Sequence, residues 1–168
     1  MKKTNENIRN EILCLLECNA KLTTDRISNQ LCIPEAEVIE EISKLENEQI
    51  ICGYGTFINW SRVKGDTITA LIEVKVTPSR GQGFNRVAER ISRFDEVKSV
   101  SLMSGAYDLA VIVEGKSLHE VAGFVSDKLS PLESVLSTAT HFVLKKFKDH
   151  GLIFNEKNDE DERMIVSP

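Results

Sequence analysis

Apolar positions recur along the first fifty residues at helical spacing. Ile8, Ile12, Leu15 and Leu16 in "IRNEILCLLEC" fall on one side of a helix. "AKLTTDRISNQL" predicts a second, shorter helix with Thr23 as its N-cap and Ile27 and Leu31 inward. "CIP" breaks it. Pro34 suits the first turn of a third helix, where its missing N–H costs nothing. Val38, Ile42 and Leu45 line that helix's apolar face, and Glu37, Glu40, Glu41 and Glu48 fall largely elsewhere. Three short helices, the last two joined by a brief turn, make a helix-turn-helix.

The period changes further along. "IICGYGTFINWSRVKGD" carries glycines and aromatics that predict a strand and a hinge. In "TITALIEVKVT" Ile68, Ala70, Ile72, Val74 and Val76 alternate onto one face, and Pro78, Gly81 and Gly83 end the strand. "FNRVAERISRF" returns to helical spacing through Phe84, Val87, Ala88, Ile91 and Phe94. "EVKSVSLMS" is a strand, "GAY" a turn and "DLAVIVEG" a more buried strand. "SLHEVAGFVSDKLS" is a helix capped by Ser117, with Leu118, Val121, Ala122, Val125 and Leu129 inward. "SVLSTATHFVLKKF" is a final long strand. The order β-α-β-β-α-β is a ferredoxin-like arrangement, so the class is α+β. Its sheet has helices on one face only, and the open face calls for a second copy.

The expected organisation is a helix-turn-helix domain over 1–52, a strand-like hinge over 53–65, a ferredoxin-like domain over 66–148 and an acidic, mobile tail over 149–168. The 168 residues suit one ordinary domain or two small ones, and 41% apolar and 28% charged residues are an ordinary globular mix. No apolar run has membrane-helix length and no signal peptide is evident, so a cytoplasmic protein is expected. Charge is uneven. Residues 1–52 hold 6 bases and 10 acids, 53–154 hold 13 and 11, and 155–168 hold 2 and 5. The molecule therefore lacks a broad positive field. Cys14, Cys18, Cys32 and Cys52 match no standard zinc spacing and read as free thiols in a reducing compartment, with no metal expected.

Three local patterns occur in order. "ISKLENEQIICGY" resembles "I-x-x-L-E-x-x-G-V-I-x-G-Y", "SGAYDLAVIV" resembles "T-G-x-Y-D-L" followed by an apolar strand, and "STATHFVLKKFK" resembles "x-T-x-T-x-x-V-L-x-x-x-K". All three are patterns of the Lrp/AsnC family of bacterial and archaeal transcription regulators, and the resemblance spans residues 5 to about 148. It implies a helix-turn-helix of the winged type that binds double-stranded DNA. It also implies a C-terminal sensor for a small molecule, usually an amino acid, and assembly into dimers and often octamers.

The effector site expected is Met103, Ser104, Gly105, Ala106, Tyr107 and Asp108 with Thr138 and Thr140. A turn containing Gly105 can offer backbone N–H groups to a carboxylate, and Asp108 can accept from an ammonium group. The plain alternative is a hairpin turn in which Asp108 caps its own backbone. No other cofactor is expected.

The DNA-facing set expected is Lys21, Thr24 and Arg26 with Glu35, Glu37, Val38, Glu41 and Lys44 of the third helix. This helix departs from the family. Cys32 stands where a turn glycine is common, Pro34 where a cap serine is common, Glu41 and Ser43 where arginines are common, and Gln49 where a glycine follows the helix. Residues 33–51 hold six glutamates and one lysine, and carboxylates near phosphates are repelled.

Three readings follow. In the first, the chain is a regulator whose Arg9, Lys21, Arg26, Lys44, Arg62 and Lys64 meet phosphates, with avidity from oligomerisation. In the second, it is a sensing or interaction module without ordinary DNA binding. In the third, it is an enzyme like the tetrapyrrole decarboxylases that resemble this family. His119, His141 and His150 form no recognisable catalytic or metal array, so no catalytic residues are expected.

Overall fold

The computed structural model describes residues 5–63, 67–77 and 83–154. The expected tail beyond residue 154, Lys64 and most of the "PSRGQG" loop lie outside them. The chain divides into two compact units, Met1–Phe57 and Ile58–Pro168.

The first unit is three helices: α1 (Asn5–Cys18), α2 (Thr24–Leu31) and α3 (Glu35–Asn47). Ile8, Ile12 and Leu16 of α1 close a core with Ile27, Leu31, Val38 and Leu45. Thr23 caps α2 by accepting from the Arg26 N–H at 3.4 Å. The turn to α3 is tied on both sides. The Ile33 N–H donates to the Ser28 carbonyl at 3.2 Å, and the Ser28 hydroxyl donates to the Ile33 carbonyl at 2.6 Å. Pro34 is the N-cap of α3, one position earlier than expected, with φ −61° and ψ 139°. Its extended ψ keeps it outside the helix, while its carbonyl accepts from the Glu37 and Val38 N–H groups.

Two positions common to glycine in the family carry side chains in the left-handed region, Cys32 (φ 54°) and Gln49 (φ 56°). An L side chain there crowds its own carbonyl. Cys32→Gly is therefore expected to stabilise this unit by about 0.5–1 kcal/mol. A higher urea midpoint with unchanged slope, followed by circular dichroism, would record it.

The hinge expected over 53–65 to be strand-like forms no strand among its described residues. Residues 52–59 have no regular secondary structure, and Trp60–Arg62 is a single 3-10 turn. The aromatic, glycine-rich stretch has strand composition, but no described strand of this chain pairs with it.

The second unit is built on a four-stranded antiparallel sheet in the order β2-β3-β1-β4. The strands are β1 (Ile68–Val76), β2 (Val97–Leu102), β3 (Leu109–Gly115) and β4 (Val135–Phe142). Helix α4 (Asn85–Ile91) joins β1 to β2, and α5 (Leu118–Gly123) with its continuation joins β3 to β4. The alternation in β1 places Ala70, Ile72, Val74 and Val76 in the core beside Leu109, Val111 and Val113 of β3. Val87 and Ile91 of α4 and Val121, Phe124 and Leu129 of the second helix close that side. On the other face Leu71, Glu73 and Lys75 alternate outward and Ile112 is exposed.

Two expectations about this unit are corrected. Leu118 and Ala122 are exposed, and Phe124 takes the inward place. After Gly123 the helix widens to π geometry over Phe124–Leu129, with the Ser130 N–H reaching back to the Val125 carbonyl at 2.8 Å. Leu118 and Ala122 precede the wide turn, whereas Val125 and Leu129 within it keep their inward places. Phe124 meets Phe94 edge to face at 5.6 Å. The final strand ends at Phe142, not near Phe147. A two-residue hairpin follows, β5 (Lys148–Asp149) and β6 (Leu152–Ile153), turned by His150 (φ 44°) and Gly151 (φ 82°).

Candidate effector turn and nucleic-acid interface

Helix α3 presents Ala36, Ile39, Glu40, Ser43 and Asn47 to solvent, and buries Val38, Glu41 and Leu45. Two residues expected to face DNA are thus inside. Val38 is fully buried because it lies on the stripe that packs against α1 and α2. Glu41 lies on the same stripe, one turn after Val38 and one before Leu45, and is 6% exposed.

Three of the six glutamates of this segment meet one of two cations, Arg9 and Lys44, within the unit, and the segment stays net negative. Glu41 faces Arg9 of α1 at 3.6 Å and Lys44 at 3.9 Å. Arg9 also bonds to Glu48, an interaction that holds its guanidinium above its usual range. Arg9 is therefore a strut between α1 and α3, and the expectation that it meets phosphates is corrected. Lys44 pairs with Glu40 at 2.8 Å. That bond lowers the Glu40 carboxyl and raises the Lys44 ammonium from their ordinary values. The Thr24 hydroxyl donates to Glu35 at 2.5 Å and fastens the start of α2 to the start of α3. The Tyr54 hydroxyl donates to Glu46 at 2.8 Å; burial, then this bond, raises the phenol. Glu6, Arg9, Glu41, Lys44 and Glu48 together line a cleft of about 510 Å³. Lys21, in the turn after α1, and Arg26, in the first turn of α2, are exposed, and Glu37 is half-buried.

In the second unit the β2–β3 turn forms as a hairpin. The Met103 N–H donates to the Asp108 carbonyl at 2.8 Å, with Ser104, Gly105 and Ala106 exposed and Tyr107 half-buried. Gly105 has an ordinary φ, and a Cβ there would meet nothing within 4 Å. Neither conformation nor crowding in the chain itself requires a glycine at this position.

Asp108 is pinned to the central strand: its N–H donates to the Val74 carbonyl at 3.1 Å, and its carboxylate accepts from the Val76 N–H at 2.9 Å. The carboxylate bond goes to the neighbouring strand β1 and not to the backbone of the turn itself. Thr138 pairs with Val74, and Thr140 with Ile72. Directly paired residues share a face, so both threonines lie on the helix side of the sheet, half-buried on the edge strand β4. Thr138 is in the row next to Asp108, with β1 between them. Thr140 is one pair further toward the sheet centre.

The three histidines sit on separate elements. His119 is exposed in α5, His141 on β4 meets Glu73 at 3.4 Å, and His150 in the hairpin meets Asp149 at 2.9 Å. No group of three metal-binding side chains occurs among the described residues. No described helix is long and apolar enough to cross a membrane. A cleft of about 550 Å³ lies at the sheet end opposite the turn, lined by Trp60, Val63, Ile68, Glu114, Leu144 and Phe154 among others. The exposed aromatic and aliphatic residues of 58–63 and 143–154 were its only signal in the sequence.

Residues 69–153 match the Lrp/AsnC ligand binding domain. The chain is similar to the HTH-type transcriptional regulator YugG of Bacillus subtilis, at 53% identity over 159 residues, which is 94% of this chain and 95% of that protein. Its fold is similar to that of the transcriptional regulator NMB0573 of Neisseria meningitidis, solved as an L-Met complex (TM-score 0.67, 22% identity, 84% of this chain and 91% of that one). It is also similar to the leucine response regulatory protein LrpA of Mycobacterium tuberculosis (TM-score 0.72, 17% identity, 86% and 95%).

Proposed function

The chain belongs to the Lrp/AsnC family, and we propose that it is a transcriptional regulator that answers to an amino acid bound at the β2–β3 turn. It is a DNA-binding protein of the helix-turn-helix type with a ligand-binding C-terminal domain. The amino-acid class, the site and the assembly are our reading. The observation that carries it is the hairpin of Met103 to Asp108, whose exposed backbone lies at one sheet end beside an anchored carboxylate. The ligand carboxylate takes N–H groups of Ser104 to Ala106 and Asp108 takes the ammonium end, while Thr138 and Thr140, across β1, lie on the helix side of the sheet. One fold neighbour was solved with L-Met, and another is named for its leucine response. The chain assembles through the open sheet face as a dimer or a higher oligomer, and acts in the cytoplasm on double-stranded DNA.

A module without DNA binding was the competing reading, prompted by the acidic helix. Pairing of Glu40, Glu41 and Glu48 with Arg9 and Lys44 offsets part of the repulsion behind it, while Glu35 and Glu46 accept from hydroxyls and keep their charge. The test is thermal unfolding of the full chain with each of the twenty amino acids. One or a few are expected to raise the midpoint, by about 2.7 kcal/mol of stabilisation at a hundredfold excess over Kd. Asp108→Asn is expected to abolish the shift. No shift with any of the twenty would refute the amino-acid assignment.

A further inference from the structure

We infer that Ile39 of α3, with Ala36 one turn before it, reads thymine through its C5-methyl group in the major groove. The inference rests on the helix-turn-helix acting on DNA and deepens that reading. Ile39 stands 49% exposed in the middle of the outward stripe of α3. An isoleucine so placed gains by being covered with apolar surface. Its neighbours along the stripe, Ala36 and Ser43, are small and exposed, and the adjacent Glu40 carboxylate is turned to Lys44, so along this line the helix can approach a groove floor. In a helix-turn-helix the first turns of the second helix meet the base edges. The one apolar group offered there is the thymine methyl.

Most charged side chains of α3 are spoken for. Guanine is usually read by an arginine or lysine fork, and the stripe has no arginine. Lys44 turns its ammonium to Glu40 and Glu41. Glu35 is held by Thr24, and Glu41 is buried against Arg9. What remains for discrimination near Ile39 is methyl contact, with exposed Ser43 and, at the end of the helix, Asn47 as hydrogen-bonding groups. The preferred half-site is thus thymine-rich where α3 lies, and holds no guanine that binding depends on.

The test begins with duplexes selected from a random library by the full chain. Each thymine of the winning half-site is then replaced by uracil, which keeps base pairing and removes only the methyl. One or two positions are expected to lose about fourfold each, the value of one buried methyl, and uracil outside the footprint is expected to cost nothing. Ile39→Ala is expected to keep its fold and its sedimentation behaviour. It should bind the thymine duplex more weakly with an unchanged salt slope, since no phosphate contact is lost, and it should no longer distinguish thymine from uracil. Saturable binding that ignores the thymine methyl would overturn the inference while leaving the regulator intact. So would an Ile39→Ala variant that keeps the full uracil penalty, or one whose main defect is lost assembly. No saturable binding to any selected duplex would overturn both.

Discussion

Replacing Ile72 with alanine is expected to destabilise the C-terminal unit by about 2–5 kcal/mol. Ile72 is fully buried at the middle of β1, paired with Val111 on one side and Thr140 on the other. Because β1 is hydrogen-bonded along both edges, it cannot shift to fill the space a smaller side chain leaves. Residual cavity volume sets the cost of such a truncation, so the upper half of the range is expected. Domains of this size are stable by only about 5–15 kcal/mol, and the variant should unfold at a much lower urea concentration. The single tryptophan, Trp60, belongs to this unit and reports on it by fluorescence. Ile112→Ala is the control: Ile112 is 37% exposed on the open face and should cost under about 1 kcal/mol in an isolated protomer. Equal losses from the two variants would contradict the described core.

The second large effect is expected in the other unit. Arg9→Ala leaves Glu41 buried with Lys44 as its remaining cation, at 3.9 Å. Breaking a fully buried pair costs about 3–5 kcal/mol. The Arg9 side chain is 26% exposed and Lys44 persists, so solvent screening leaves a loss well short of that, read as a lower unfolding midpoint. The double variant Arg9→Met with Glu41→Leu is expected to recover most of the loss, because the strip between Val38 and Leu45 is then apolar throughout. Thermal unfolding followed by circular dichroism would measure both. If the double variant were as unstable as Arg9→Ala, the loss would belong to packing of the arginine stem rather than to the stranded carboxylate.

Glu41 also marks the limit of what the sequence makes legible. The alternation of β1 and the helical spacings of α1 to α4 are written in apolar positions a few residues apart, and those elements are where the pattern puts them. Glu41 shares the Val38–Leu45 stripe, so its burial had a local signal. The cation that makes burial tolerable is on α1, and no local pattern connects the two helices. Phe124 lies three residues after Val121, a spacing that also suits a buried helical face, and the Phe94 ring it packs against lies on a different element that no local pattern connects to it. Residues 53–59 have strand composition without a partner strand among the described residues. The β5–β6 hairpin was signalled only by "HG", a two-residue turn with no alternating strands around it. At the candidate effector turn the hairpin was legible from "SGAYD". The anchoring of Asp108 to Val74 and Val76 depends on the β1–β3 register, which no stretch of sequence encodes by itself.

The position of β1 has a mechanical consequence. The segment leading from the helix-turn-helix unit feeds directly into Ile68, the start of the strand, and Asp108 is fastened to Val74 and Val76 at its far end. Nine residues at about 3.3 Å each make a rod of roughly 30 Å. The rod is clamped along both edges, so a pull along it loads the hydrogen bonds in shear, all together, rather than unzipping them one at a time. A load at Ile68 and a displacement of the Met103–Asp108 turn therefore act on opposite ends of one strand clamped along both edges.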